Sequence, residues 1–168
     1  MGVIVMSKVV LLMRHAKSSW KDDSLPDQDR PLAGRGKRDA ERIGELLAKR
    51  DAAPDLIISS SAKRARSTAK RVAAKSGYGG EVRVEADLYG QGVGAYLWVL
   101  ASLPETVERP LLIGHNPTME EAVRWLTRQT IPMPTAAVAC IELPIASWDE
   151  IESSPEGALL WTLRPDEA

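Results

Sequence analysis

The sequence predicts an α/β fold: a three-layer sandwich with a mostly parallel central sheet flanked by helices. Two observations carry this. Short apolar runs rich in β-branched residues alternate along the chain with stretches of helical periodicity, the pattern of strands and helices in a layered sheet. The 168 residues contain 44% hydrophobic and 27% charged residues, ordinary values for one globular domain with its own core. A single domain over residues 1–168 is therefore expected, with residues 1–7 as a possible extension and Met6 as an alternative start.

In chain order, Val9–Met13 is the first buried strand, followed by a polar segment, Ser18–Leu32, that carries Pro26 and Pro31. A loop of that length inside a compact domain is usually functional. Ala40, Ile43, Gly44 and Leu47 fall at i, i+3, i+4, i+7 and predict a helix. Asp55–Ser59 is the second strand. Ala65, Ala69, Val72 and Ala73 mark a second helix, stopped by Gly77, Gly79 and Gly80. Val82–Glu85 is a weaker strand and Leu111–Ile113 a buried one. Met119, Ala122, Val123 and Leu126 form a third helical stripe, with Asn116 as its N-cap and Pro117 as its first residue. Val138–Leu143 and Leu159–Leu163 complete the sheet near an edge.

Several function classes are disfavoured. The net charge is −1, from 22 basic and 23 acidic residues, so attraction to nucleic acid or an anionic membrane is not expected. No apolar stretch reaches the roughly 18 residues of a membrane span, and Met1–Met6 lacks the features of a signal peptide. Cys140 is the one cysteine; no internal disulfide can form, and a cytoplasmic location is expected.

The chemistry concentrates at strand ends. The chain has two histidines, His15 and His115, and each falls just past the carboxyl end of a predicted buried strand. The second strand leads through Ser60 to Arg64 in the first turn of a helix. Ligands of open α/β sheets bind beyond the carboxyl ends of the strands, so three junctions deliver Arg14, His15, Arg64 and His115 to one rim. Guanidinium forks match phosphate oxygens and stay charged. A neutral imidazole can attack phosphorus and carry the phosphoryl group, and a second can stabilise the developing charge. Taken singly, each residue has a plainer explanation: a structural histidine, or, for Arg64, the solvated face of the basic run Lys63–Arg71.

Other phosphatase chemistries fit less well. Cys140 is followed six residues later by Ala146, not arginine; Asp27-Gln28-Asp29 lies in a polar loop, not after a hydrophobic strand. No carboxylate cluster accompanies the histidines at metal-ligand spacing, and Gly90–Gly94 does not fit a dinucleotide fingerprint. Neither metal nor cofactor is expected.

Four segments in order, Arg14–Trp20, Asp29–Gly36, Ser60–Thr68 and Gly114–Pro117, make the chain resemble the histidine phosphatase (phosphoglycerate mutase-like) superfamily, and within it the SixA-type phosphohistidine phosphatase branch. The resemblance spans roughly residues 8 to 145. It implies a phosphate pocket of Arg14, His15, Arg64 and His115 with His15 as nucleophile. It also implies a general acid near Asp87, with Glu85 as the neighbour, and brings Ser18 and Lys21 to the substrate. Lys21 stands where mutase-like members often have an asparagine, and Ala16 replaces the commoner glycine. The implied activity is a metal-independent phosphatase acting on a phosphorylated small molecule or a phosphohistidine-bearing protein. The rivals are a mutase-like isomerase and a non-catalytic phosphoprotein-binding module.

Overall fold

In the computed structural model, which describes residues 6–167, six strands form one sheet in the order β3-β2-β4-β1-β5-β6. The strands are β1 (Lys8–Arg14), β2 (Leu56–Ser60), β3 (Val82–Glu85), β4 (Pro110–Gly114), β5 (Val138–Leu143) and β6 (Ala158–Leu163). β1 to β4 run parallel, while β5 is antiparallel to β1 and β6 to β5. Of the possible extension at residues 1–7, residues 1–5 lie outside the described residues.

The helices are α1 (Gly34–Lys49), α2 (Lys63–Ser76), α3 (Val93–Ala101) and α4 (Thr118–Thr127). Alternation along β1 assigns the layers. Leu11 and Met13 join Ile43 and Leu47 of α1 and Ala65, Ala69 and Val72 of α2 on one face. Val10 and Leu12 join Tyr96 and Leu100 of α3 and Val123 and Leu126 of α4 on the other. Both sets on β1 are fully buried, each large aliphatic side chain contributing about 1.5–3 kcal/mol. That two-sided burial is why the strand reads as an unbroken apolar run.

The expected elements are present with small shifts. β2 begins at Leu56 and not Asp55, because the Asp55 carboxylate instead accepts the N–H groups of Glu108 and Arg109 (2.6 and 2.9 Å). α4 starts at Thr118 with Pro117 before it, one residue later than expected. Asn116 still supports the helix through Oδ1, which accepts the Glu120 N–H (3.3 Å), while its Nδ2 donates to Met133 O (2.9 Å). Gly77 ends α2 with φ +86°, a conformation that glycine adopts without a Cβ penalty. Helix α3 is absent from the sequence reading.

Candidate functional site

Because β2, β4 and β1 are adjacent and parallel, their carboxyl ends share one rim. There a cavity of about 580 Å³ is lined by Arg14, His15, Asp27, Arg64, Tyr89 and His115, among others. The two imidazole centroids are 5.1 Å apart with planes at 54°.

His15 extends the β1 ladder: its N–H donates to Gly114 O (3.0 Å). Its side chain is turned by the residue after it, for Nδ1 lies 2.7 Å from Ala16 O. A carbonyl oxygen only accepts, so Nδ1 carries the proton and the neutral ring keeps its lone pair on Nε2. Ala16 is held in turn, its N–H donating to Thr68 Oγ1 (3.0 Å), and that hydroxyl donating to Arg64 O (2.7 Å). The turn after β1 is thus tied to the first turns of α2, the segment that carries Arg64.

Burial, first, pulls the His15 pKa down to about 3; the Ala16 contact opposes this, and His115, Arg64 and Arg14 add to it. His115 is lowered to about 4, by burial and then by Arg64. Both rings are neutral at ordinary pH. Burial thus outweighs the neighbouring cations in keeping His15 unprotonated.

His115 is placed by Tyr96 of α3. Its N–H donates to the Tyr96 hydroxyl (3.1 Å), and Gly114 leaves that hydroxyl its space, since a Cβ there would overlap it. His115 Nε2 is 2.8 Å from Ser60 Oγ, and its Nδ1 faces Arg64 Nη2 at 3.4 Å. As guanidinium only donates, Nδ1 is the accepting nitrogen and Nε2 bears the proton.

Arg64 is buried, unlike its neighbours Lys63 and Arg66, so the basic run is a solvated face with one residue turned inward. Arg64 Nη1 donates to Asp27 O (2.6 Å) and Nη2 to Asp27 Oδ2 (2.9 Å). Arg14 Nη1 donates to Met133 O (3.3 Å), and its buried Nε has no partner.

Of the expected site residues, Arg14, His15, Arg64 and His115 converge on the cavity, and Ser18 lines it while accepting from Arg30 Nη2 (2.5 Å). Asp87 and Lys21 do not: both are exposed and neither lines the cavity. Asp87 lies in a 3-10 turn (Ala86–Leu88) whose buried residue is Leu88, so packing of that leucine turns the aspartate outward. The carboxylate at the cavity is Asp27, in the polar loop. Tyr89, Ser60 and Arg30, whose contacts shape the site, are given no site role by the sequence. Trp20, stacked on the Arg30 guanidinium at 3.2 Å, lines the mouth. Among the described residues, no three His, Cys, Asp or Glu side chains converge as a metal-binding group, and no helix is long and apolar enough to cross a membrane.

A family model, the histidine phosphatase superfamily (branch 1), matches residues 10–98, and the chain belongs to that superfamily. Solved structures place it with the SixA-type branch. A protein designated phosphohistidine phosphatase SixA from Nakamurella multipartitia has 26% identity and a TM-score of 0.81, with 96% of this chain and 98% of that one covered. A protein histidine phosphatase SixA complexed with tungstate shares 25% identity at TM-score 0.80, covering 94% and 97%. An uncharacterized chloroplastic protein of Arabidopsis thaliana is 33% identical over 154 residues, covering 86% of this chain and 70% of the relative.

Proposed function

We propose that the protein is a metal-independent phosphatase that hydrolyses phosphohistidine or related phosphomonoesters through a phosphorylated His15. One observation carries this reading. The His15 Nδ1 contact with Ala16 O leaves Nε2 as the free lone pair of a neutral ring in a cavity that Arg14, Arg64 and His115 also line. Nε2 attacks phosphorus, the leaving group departs, and water then releases phosphate from the ring. The arginines hold the equatorial oxygens, and His115 Nε2–H exchanges Ser60 Oγ for one of them as charge builds.

The phosphohistidine preference has separate support. Asp27 is the carboxylate among the cavity-lining residues, and its pKa is lowered to about 2, first by the Tyr89 hydrogen bond and then by Arg64 and Arg30 against the opposing effect of burial. A carboxylate held ionised is a poor proton donor, which favours leaving groups such as imidazole that depart with little acid help. The SixA designations of the structural relatives agree with this substrate class. On this reading the substrate is a phosphohistidine-bearing protein or a phosphorylated small molecule, and a cytoplasmic location suits it.

Rapid quench with labelled substrate tests the mechanism. Acid-labile, base-stable label should appear on the His15 peptide, and His15→Ala should lose several orders of magnitude in turnover. Label on His115, or near-normal rates in His15→Ala, would refute it.

A further inference from the structure

Asp27 occupies a position that attack on phosphorus leaves without a role. It takes both terminal nitrogens of Arg64, one on its carbonyl oxygen and one on Oδ2. Oδ2 also accepts the Tyr89 hydroxyl (2.6 Å), and Oδ1 accepts Arg30 Nη1 (3.2 Å). The side chains of Arg64 and Arg30 are each 8% exposed, but that of Asp27 is 52% exposed. An anion reaching in from the solvent side thus sits on the guanidinium edge that a phosphoryl group requires for bidentate pairing.

The loop that bears Asp27 is built to release it. Its base is clamped by the Ser18–Leu32 bridge and by the Ser19 N–H on Pro31 O (2.8 Å). The 3-10 turn Asp27–Asp29 buries no residue, and beyond the Asp27 contacts it is held by Gln28 Nε2 on Ser61 Oγ (2.9 Å). The Gln28 and Tyr89 contacts are exposed, and the part-buried contacts to Arg64 and Arg30 are of the kind that phosphoryl oxygens replace one for one.

Resting on the reading of the cavity as a phosphoryl site, we propose that Asp27 is a built-in competitor of phosphate. It neutralises and aligns Arg64 in the empty pocket, yields it to the incoming phosphoryl group, and on returning helps expel inorganic phosphate. Asp27 is then a specificity-setting residue that lowers affinity for the product.

Calorimetric titration with inorganic phosphate tests this on the wild type and on Asp27→Asn, Asp27→Ala and Asp27→Glu. Removing one like charge beside the anion should tighten phosphate about tenfold in the Asn and Ala variants, with a matching fall in the inhibition constant of phosphate. Asp27→Glu, which keeps the charge, should stay close to wild type. Since release slows, kcat should fall in Asp27→Asn while kcat/KM does not. Unchanged or weaker phosphate binding in both neutral variants overturns the competitor role and leaves the cavity assignment standing. Absence of phosphate binding in every protein, wild type included, overturns the cavity assignment itself.

Discussion

An ordinary histidine, with a pKa near 6.5, is about nine-tenths protonated at pH 5.5, and a nucleophile of that kind would lose about tenfold in rate there. Burial holds His15 at about 3 and His115 at about 4, so at the same pH more than about 90% of each ring is still neutral. Log kcat/KM for an aryl phosphate, corrected for the substrate's own ionisation near pH 6, should therefore be flat from pH 8 down to about 5. The chain has two histidines, so ring nitrogen shifts in NMR follow both without overlap. A ring of the folded, ligand-free protein titrating near 6.5 would refute the burial argument. The same shifts make the fold acid-sensitive. The folded pKa values lie below the unfolded one, so the unfolded chain takes up protons first. Stability is complete above about pH 6.5 and falls as pH drops toward 3–4, by on the order of a few kcal/mol for buried His15. Urea midpoints at pH 7 and 4.5 should differ accordingly.

Other outcomes follow from single contacts. Because three guanidinium groups, those of Arg14, Arg30 and Arg64, line the cavity with the imidazoles, activity should survive EDTA, while vanadate should inhibit; loss on chelation restored by one metal would contradict this. Asp87→Asn, at an exposed position outside the cavity lining, should change kcat/KM for alkyl and aryl esters by less than about threefold, well under the 10²–10⁴-fold of a general acid. Gly114→Ala pushes against the Tyr96 hydroxyl that holds the His115 N–H and should lower kcat at least about tenfold, as misplaced catalytic groups do. Leu112→Ala, at a fully buried position, should cost about 2–5 kcal/mol in urea unfolding.

What could be read in advance divides along physical lines. β1, β2 and β4 are buried on both faces, so their sequences are continuous apolar runs that announce themselves and, with them, the strand ends carrying His15 and His115. Helix α3, Val-Gly-Ala-Tyr-Leu-Trp-Val-Leu-Ala, is apolar almost all round and shows no polar stripe, so the periodicity that revealed α1 and α4 gave no signal. Its loss hid Tyr96 and the support of His115. Asp27 and Tyr89 reach the cavity from loop and turn segments whose paths depend on tertiary contacts. Asp27 lies 37 residues from Arg64 in sequence, and a polar loop gives no sign of such a pairing. The acidic group expected from family likeness was accordingly put at Asp87, two residues from Tyr89 but on the solvent side.

Cys140 gives the molecule an experimental convenience. It is 3% exposed in β5, and burial, first, raises its thiol to about 11, leaving almost no thiolate at neutral pH to meet an alkylating reagent. A cysteine introduced at a solvent-facing position of the Ser18–Leu32 loop would then be the sole fast-reacting thiol. A fluorophore or spin label attached there would follow the turn that carries Asp27 as phosphate is added, with no need to remove the native residue.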